Sequence, residues 1–91
     1  MANLYELDCF IEQAGNRERF YLSISEPGFT LSGGDAYCRV HAPTLFLKDK
    51  DIYGADEEQA KELAYQFVRT FLRGKRLVDA TGRTIGSDQW P

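Results

Sequence analysis

The chain has 91 residues, 43% hydrophobic and 27% charged, with 11 basic against 14 acidic side chains and a net charge of −3. That length holds one domain and one core, and the composition is that of a folded globular chain, which sets disorder aside. A mildly acidic balance predicts no general attraction to phosphate, so a nucleic-acid binder of this composition would need a local basic patch.

Residues 4–12, "LYELDCFIE", alternate between Tyr5, Leu7, Cys9 and Ile11 on one side and Glu6, Asp8 and Glu12 on the other. Period two predicts a strand with one buried face, although Phe10 falls on the charged side. "QAGN" follows with the turn residues Gly15 and Asn16, and "RERFYLSIS" (17–25) alternates again. Phe20, Leu22 and Ile24 oppose Arg17, Arg19, Tyr21 and Ser23, and so short a turn predicts an antiparallel hairpin. In "EPGFTLSGG", Pro27 and Gly28 are expected to break the ladder, and Gly33-Gly34 to mark a second bend. A third strand is expected over 35–42, with Ala36, Cys38 and Val40 inward and Tyr37, Arg39 and His41 outward, ended by Pro43. The stretch 44–54 should return antiparallel. Its phase stays open, because Leu45 and Leu47 share a parity that Ile52 does not, so it holds either a bulge or a loop.

The segment 49–76, "DKDIYGADEEQAKELAYQFVRTFLRGKR", is punctuated as a helix. Asp56 with Gln59 three residues on makes a capping box. Glu57 and Glu58 sit at the positive end of the dipole, Arg69 and Arg73 at the negative end. Ala60, Leu63, Ala64, Phe67, Val68, Phe71 and Leu72 recur at helical spacing, and Gly74 supplies the stop. "RLVDATGRTI" (76–85) reads as a small hairpin in which Asp79 begins the turn and Gly82 takes the left-handed position. "GSDQWP" closes the chain with Trp90 as its one large apolar group. The expected fold is α+β in two layers: an antiparallel sheet of about four strands (4–54) on one long helix (56–73), then a short C-terminal hairpin and tail (75–91), all in one domain.

No apolar run approaches the roughly 18 residues of a membrane span. "MANLYELDCF" lacks the basic-then-apolar order of a secretory signal. Cys9 and Cys38 are too few for a disulfide framework. A cytoplasmic setting with reduced thiols is therefore expected.

Chemistry-bearing constellations are sparse. Cys38 and His41 are three apart and face opposite sides of a regular strand, so with Cys9 they make neither a thiol–imidazole pair nor a zinc site. "DKDIYG" (49–54) opens like a calcium loop through Asp49, Asp51 and Gly54, but Tyr53 and Ala60 stand where two ligands belong. "SGGD" (32–35) leads into a strand and not into a helix that could cradle an anion. His41 is the only histidine, and no G-x-S-x-G elbow surrounds any serine. No cofactor, metal or catalytic residue is assigned.

The most suggestive surface is the outward sheet face. Aromatic and arginine side chains together are what protein interfaces favour, and Phe10, Arg19, Tyr21, Tyr37 and Arg39 share that face. Base-stacking sheets use the same residue types, so single-stranded nucleic-acid binding is the alternative. It would be helped by a charged patch of Arg69, Arg73, Lys75 and Arg76. The carboxylates of Glu6, Asp8, Glu12 and Asp35 on the same face would repel a phosphate backbone and favour a protein partner. Trp90 and the C-terminal hairpin are candidates to cover the face, as is a second copy of the chain.

The junction "IYGADEEQA" (52–60) joins a strand end, Y-G, a capping Asp and then Q-A at the start of an amphipathic helix. It resembles that of a family of small uncharacterised bacterial domains, in which a curved antiparallel sheet precedes one long helix. The resemblance spans residues 35–72 or thereabouts and implies a fold without an assigned activity. In size and acidity the chain is also similar to toxin-immunity proteins and phage-encoded inhibitors of bacterial defence. The expected function is that of a small non-enzymatic protein-binding domain, inhibitor or immunity-type, forming a homodimer or holding another protein. A small enzyme ranks third.

Overall fold

The computed structural model describes residues 3–31 and 34–86. Its elements are β1 (Asn3–Gln13), β2 (Asn16–Ser25), β3 (Gly28–Phe29), β4 (Ala36–His41), β5 (Lys50–Gly54), α1 (Glu57–Leu72) and β6 (Arg76–Val78). Every pairing is antiparallel. β6, β1, β2, β4 and β5 follow one another across the sheet, and β3 joins β4 on the edge it shares with β2. The class is α+β, an antiparallel sheet on one helix, with six strands where about four were expected.

One extra strand comes from the segment expected to interrupt the ladder. Ile24 pairs with Val40 and Gly28 with Tyr37, so residues 25–27 face only 38 and 39. That is a one-residue bulge, and Pro27, which has no N–H to give, sits inside it. Ser25 Oγ takes the Arg39 N–H at 2.8 Å, standing in for the backbone acceptor that the bulge removes. The ladder is displaced and resumes, instead of breaking.

The first hairpin closes at Gln13–Asn16. Its turn centre is Ala14 (φ 51°) and Gly15 (φ 82°), and Asn16 already belongs to β2. Two successive left-handed residues make the tight turn whose twist matches that of the flanking strands. Residues 44–49 are a turn and loop, which settles the phase left open above. The N–H groups of Leu45 and Phe46 both donate to Ala42 O at 2.9 Å, and β5 begins only at Lys50. Ile52 then falls opposite Cys38, facing inward.

Helix α1 is built as its capping residues prescribe. Asp56 Oδ1 accepts from Gln59 N at 2.8 Å, and Gln59 Oε1 accepts from Ala55 N at 2.6 Å. Asp56 and Arg73 are the caps of the helix and not part of it, and Gly74 has φ +83°. The buried line runs Ala60, Ala64, Val68, Leu72. It packs on the sheet face formed by Cys9, Ile11, Phe20, Leu22, Ile24, Ala36, Cys38, Val40 and Leu77.

In the C-terminal hairpin Gly82 N donates to Asp79 O at 3.0 Å with Gly82 at φ +88°, as the turn residues predict. β6 adds to the outer side of β1, pairing Val78 with Phe10 and Leu77 with Ile11. This accounts for the misplaced phenylalanine: Phe10 lies opposite Val78, which is fully buried although it points away from the helix. Trp90 and the last residues lie outside the described part of the chain, as do Ser32 and Gly33.

Candidate functional site

The helix covers one face of the sheet and the strands present the other. Alternation places Tyr21, Tyr37 and Arg39 on that other face, together with Arg19 and His41, while Leu22 and Val40 are buried beneath the helix. The residues singled out from the sequence form a diagonal across it. Phe10 and Arg19 are directly opposite one another, Tyr21 follows on β2, and its ring meets that of His41 at 6.1 Å between centroids. Arg39 and Tyr37 continue along β4, Tyr37 stacking on Tyr53 at 5.8 Å. The C-terminal turn reaches only the Phe10 end, where a Cβ on Gly82 would lie 3.0 Å from Arg17 Nη2. Phe10 is therefore partly a packing residue, and the four others stand clear of the turn.

The charges on this face are arranged in cross-strand pairs. Arg19 holds Asp8 with two hydrogen bonds, Nε to Oδ1 at 3.3 Å and Nη2 to Oδ2 at 3.0 Å. Arg39 holds Asp51 likewise, at 2.8 and 3.3 Å. His41 Nδ1 lies 2.7 Å from Asp49 Oδ1. Glu12 receives Arg17 at 3.6 Å and Arg76 at 3.2 Å. Glu6 accepts from Asn3 at 2.7 Å and from the Tyr21 hydroxyl at 3.1 Å. The hydrogen bond from Arg19 holds the Asp8 carboxyl below the usual range and raises Arg19 in turn, and the bond to Asp51 raises Arg39. Partial burial, then the Glu6 carboxylate, pushes the Tyr21 phenol up. The arginines of the face are thus balanced by carboxylates and these long side chains are already held, which lowers the entropy lost on contact. Ser23, Ser25, Asn3, Arg39, His41 and Asp49 border a shallow hollow of ≈ 230 Å³ at its middle.

The remaining constellations stay apart. Cys9 and Cys38 are free and buried on the helix side, on strands separated by β2, and His41 is on the opposite face. Asp49 and Asp51, the start of the calcium-like triplet, are tied to His41 and Arg39 and do not converge. Among the described residues no group of three or more His, Cys, Asp or Glu is placed to hold a metal, and no helix is long and apolar enough to cross a membrane. Of the C-terminal basic patch, Arg76 is held by Glu12 and Lys75 Nζ lies 5.7 Å from the centre of the Phe71 ring.

One surface escaped the reading of the sequence. Phe46, Phe67 and Phe71 form a three-ring cluster with centroids 4.6 to 5.8 Å apart, between the 44–49 loop and the flank of the helix. Beside it lies a hollow of ≈ 430 Å³ lined by Ile52, Leu63, Gln66, Phe67, Thr70 and Phe71. The available signal was the width of the apolar stripe. Seven positions recur at helical spacing, yet only Ala60, Ala64, Val68 and Leu72 are needed against the sheet.

Comparison with known families, with characterised proteins and with solved structures finds no match.

Proposed function

We propose that the chain is a non-enzymatic protein-binding domain of the inhibitor or immunity type, working in a cytoplasm. Its partner is another protein, engaged by the outer sheet face through Tyr21, Tyr37, Arg39 and Arg19, with Phe10 at the margin. One observation carries the reading: a sheet face with no layer over these residues among the described part of the chain, on which tyrosine rings stand among arginines paired with carboxylates across strands. Interface cores are enriched in such rings and arginines and depleted in unpaired charge. The same pairing weighs against nucleic acid, whose backbone would meet carboxylates 2.8 to 3.6 Å from each basic group of the face.

The test is capture from a native host by wild-type protein and by the double variant Tyr21→Ser/Tyr37→Ser, with captured masses identified. Tyr37 and Tyr21 are both half-exposed, so the variant is expected to fold, as circular dichroism will show, and to lose one specific protein. Equal capture by a folded variant overturns the assignment of the face. Retention of labelled oligonucleotides that falls steeply with salt overturns the choice of a protein partner.

A further inference from the structure

The two ends of the sheet are finished differently. At the β6 end the outer edge is occupied, with Ile85 N donating to Leu77 O at 2.8 Å and Thr84 bridging Val78. At the other end, among the described residues, β5 pairs with β4 alone. Its second row of backbone N–H and C=O groups is open, and such an edge is a template for another strand. Directly above it the helix turns Leu63, Phe67 and Phe71 outward, so the apolar hollow lies along the open edge.

The charges along that edge select the occupant. Asp51 in β5 is neutralised by Arg39, and Asp49 just before the strand lies 2.7 Å from His41 Nδ1, so Lys48 and Lys50 outnumber the one remaining carboxylate and set the sign there. Lys50 Nζ sits 5.7 Å from the centre of the Phe46 ring, at the mouth of the same apolar cluster. The far end of β5 runs into Asp56, Glu57 and Glu58, the cap and first turn of the helix, where Lys61 meets Glu58 at 3.5 Å and the other two carboxylates set the sign. A segment that is positive at its start and negative at its end matches itself when reversed. Antiparallel pairing about Ile52 sets Ile52 against its own copy, Asp51 against Tyr53 and Lys50 against Gly54. It brings Lys48 and Lys50 of one chain to the acidic helix start of the other. Residues that oppose each other across a two-fold axis normal to the sheet keep the same face, so both helices lie on one side and their Leu63 and Phe67 flanks meet over the seam.

We propose that the β5 edge and the Leu63/Phe67/Phe71 flank form a two-fold interface with a second copy of this chain, joining the two sheets into one. The contact meets the outer face only at its rim, where Asp51 opposes Tyr53, and uses none of Phe10, Arg19, Tyr21, Tyr37 and Arg39, so the proposal does not depend on the function assigned to that face.

Sedimentation of the full chain over a concentration series tests the proposal, with dimer expected at twice the 10.4 kDa of one chain. Phe71→Ser, which removes a partly exposed ring, is expected to shift the protein to monomer. So are the charge reversals Lys48→Glu/Lys50→Glu and Glu57→Lys/Glu58→Lys, each taken alone. Mixing the two reversed proteins is expected to restore a mixed dimer, because each then meets the opposite sign at both ends of β5. Circular dichroism separates loss of association from loss of fold, and amide exchange at Asp51–Tyr53 should slow only in the dimer. A wild-type chain that is monomeric at every concentration overturns the proposal. So does a dimer that survives both charge reversals, or reversed proteins that stay monomeric when mixed.

Discussion

Gly54 stands where β5 gives way to the helix, and its lack of a side chain is a matter of space. A Cβ at this position would lie 2.5 Å from Ala60 N, 2.8 Å from Gln59 C and 2.9 Å from Ala60 Cα, all backbone atoms that cannot swing aside. Gly54→Ala should therefore cost about 2–3 kcal/mol as the first helical turn is pushed off the strand end, read from the urea midpoint at unchanged slope. A cost below roughly 0.5 kcal/mol would mean that the helix start yields freely. The same short approach explains why the buried line opens with Ala60 and Ala64 and takes larger residues only at Val68 and Leu72. At this scale the sequence was readable in its alternation, which fixed the side of the sheet for Tyr21, Tyr37 and Arg39. It was silent on their partners, because Arg39 meets Asp51 only through the register of β4 with β5. No local pattern specifies that register.

Helix α1 draws its start from two side chains acting together. Asp56 accepts from Gln59 N and Gln59 in turn closes on Ala55 N, so two otherwise unpaired N–H groups depend on one pair of residues. Asp56→Ala should lower stability by about 1 kcal/mol. Gln59→Ala in the Asp56→Ala background should then cost less than it does alone, since the two groups share one task. Strictly additive losses in a double-mutant cycle would show that they act separately. The helix was legible because capping, dipole and periodicity are all local. β3 was not, nor was the place of β6 in the sheet: β3 exists through a bulge at Ser25–Pro27, and β6, expected as part of a terminal hairpin, joins the sheet by pairing with β1, more than sixty residues earlier in the chain. The apolar flank of the helix was visible as letters, but the direction it faces depends on where the sheet ends.

For the molecule as a whole, the titrating groups that the fold perturbs define a window of pH. Burial, followed by the nearby Asp8 carboxylate, pushes the Cys9 thiol up from its ordinary 9.0 to about 11. Burial raises Cys38 in the same sense. The stability that these neutral thiols contribute is fully present below pH 9.0 and is lost as pH rises through about 11, because the unfolded chain ionises first. At the acid end Asp79 is held low by the Thr81 hydroxyl and the Arg83 N–H, and Asp8 is held low by Arg19. Their contribution is present above the ordinary carboxylate value of 3.8 and is lost as pH falls through the lowered folded values. The melting temperature should therefore hold level between about pH 5 and about pH 8 and fall on both sides. A decline that begins at neutral pH would point to a group other than these. The molecule is also long, 46 × 26 × 22 Å, because the β1–β2 hairpin runs on past β4, whose pairing with β2 is confined to Ser23 and Ile24. Among the described residues, one side of β2 from Asn16 to Leu22 therefore has no neighbouring strand. That stretch carries Arg17, Glu18 and Arg19, with the Arg19 carbonyl capped by Thr44 Oγ1 at 3.2 Å. Alternating charge and a hydroxyl lid make a poor template for stacking like chains into fibrils, so the longest hairpin of the fold can project into solvent without seeding them.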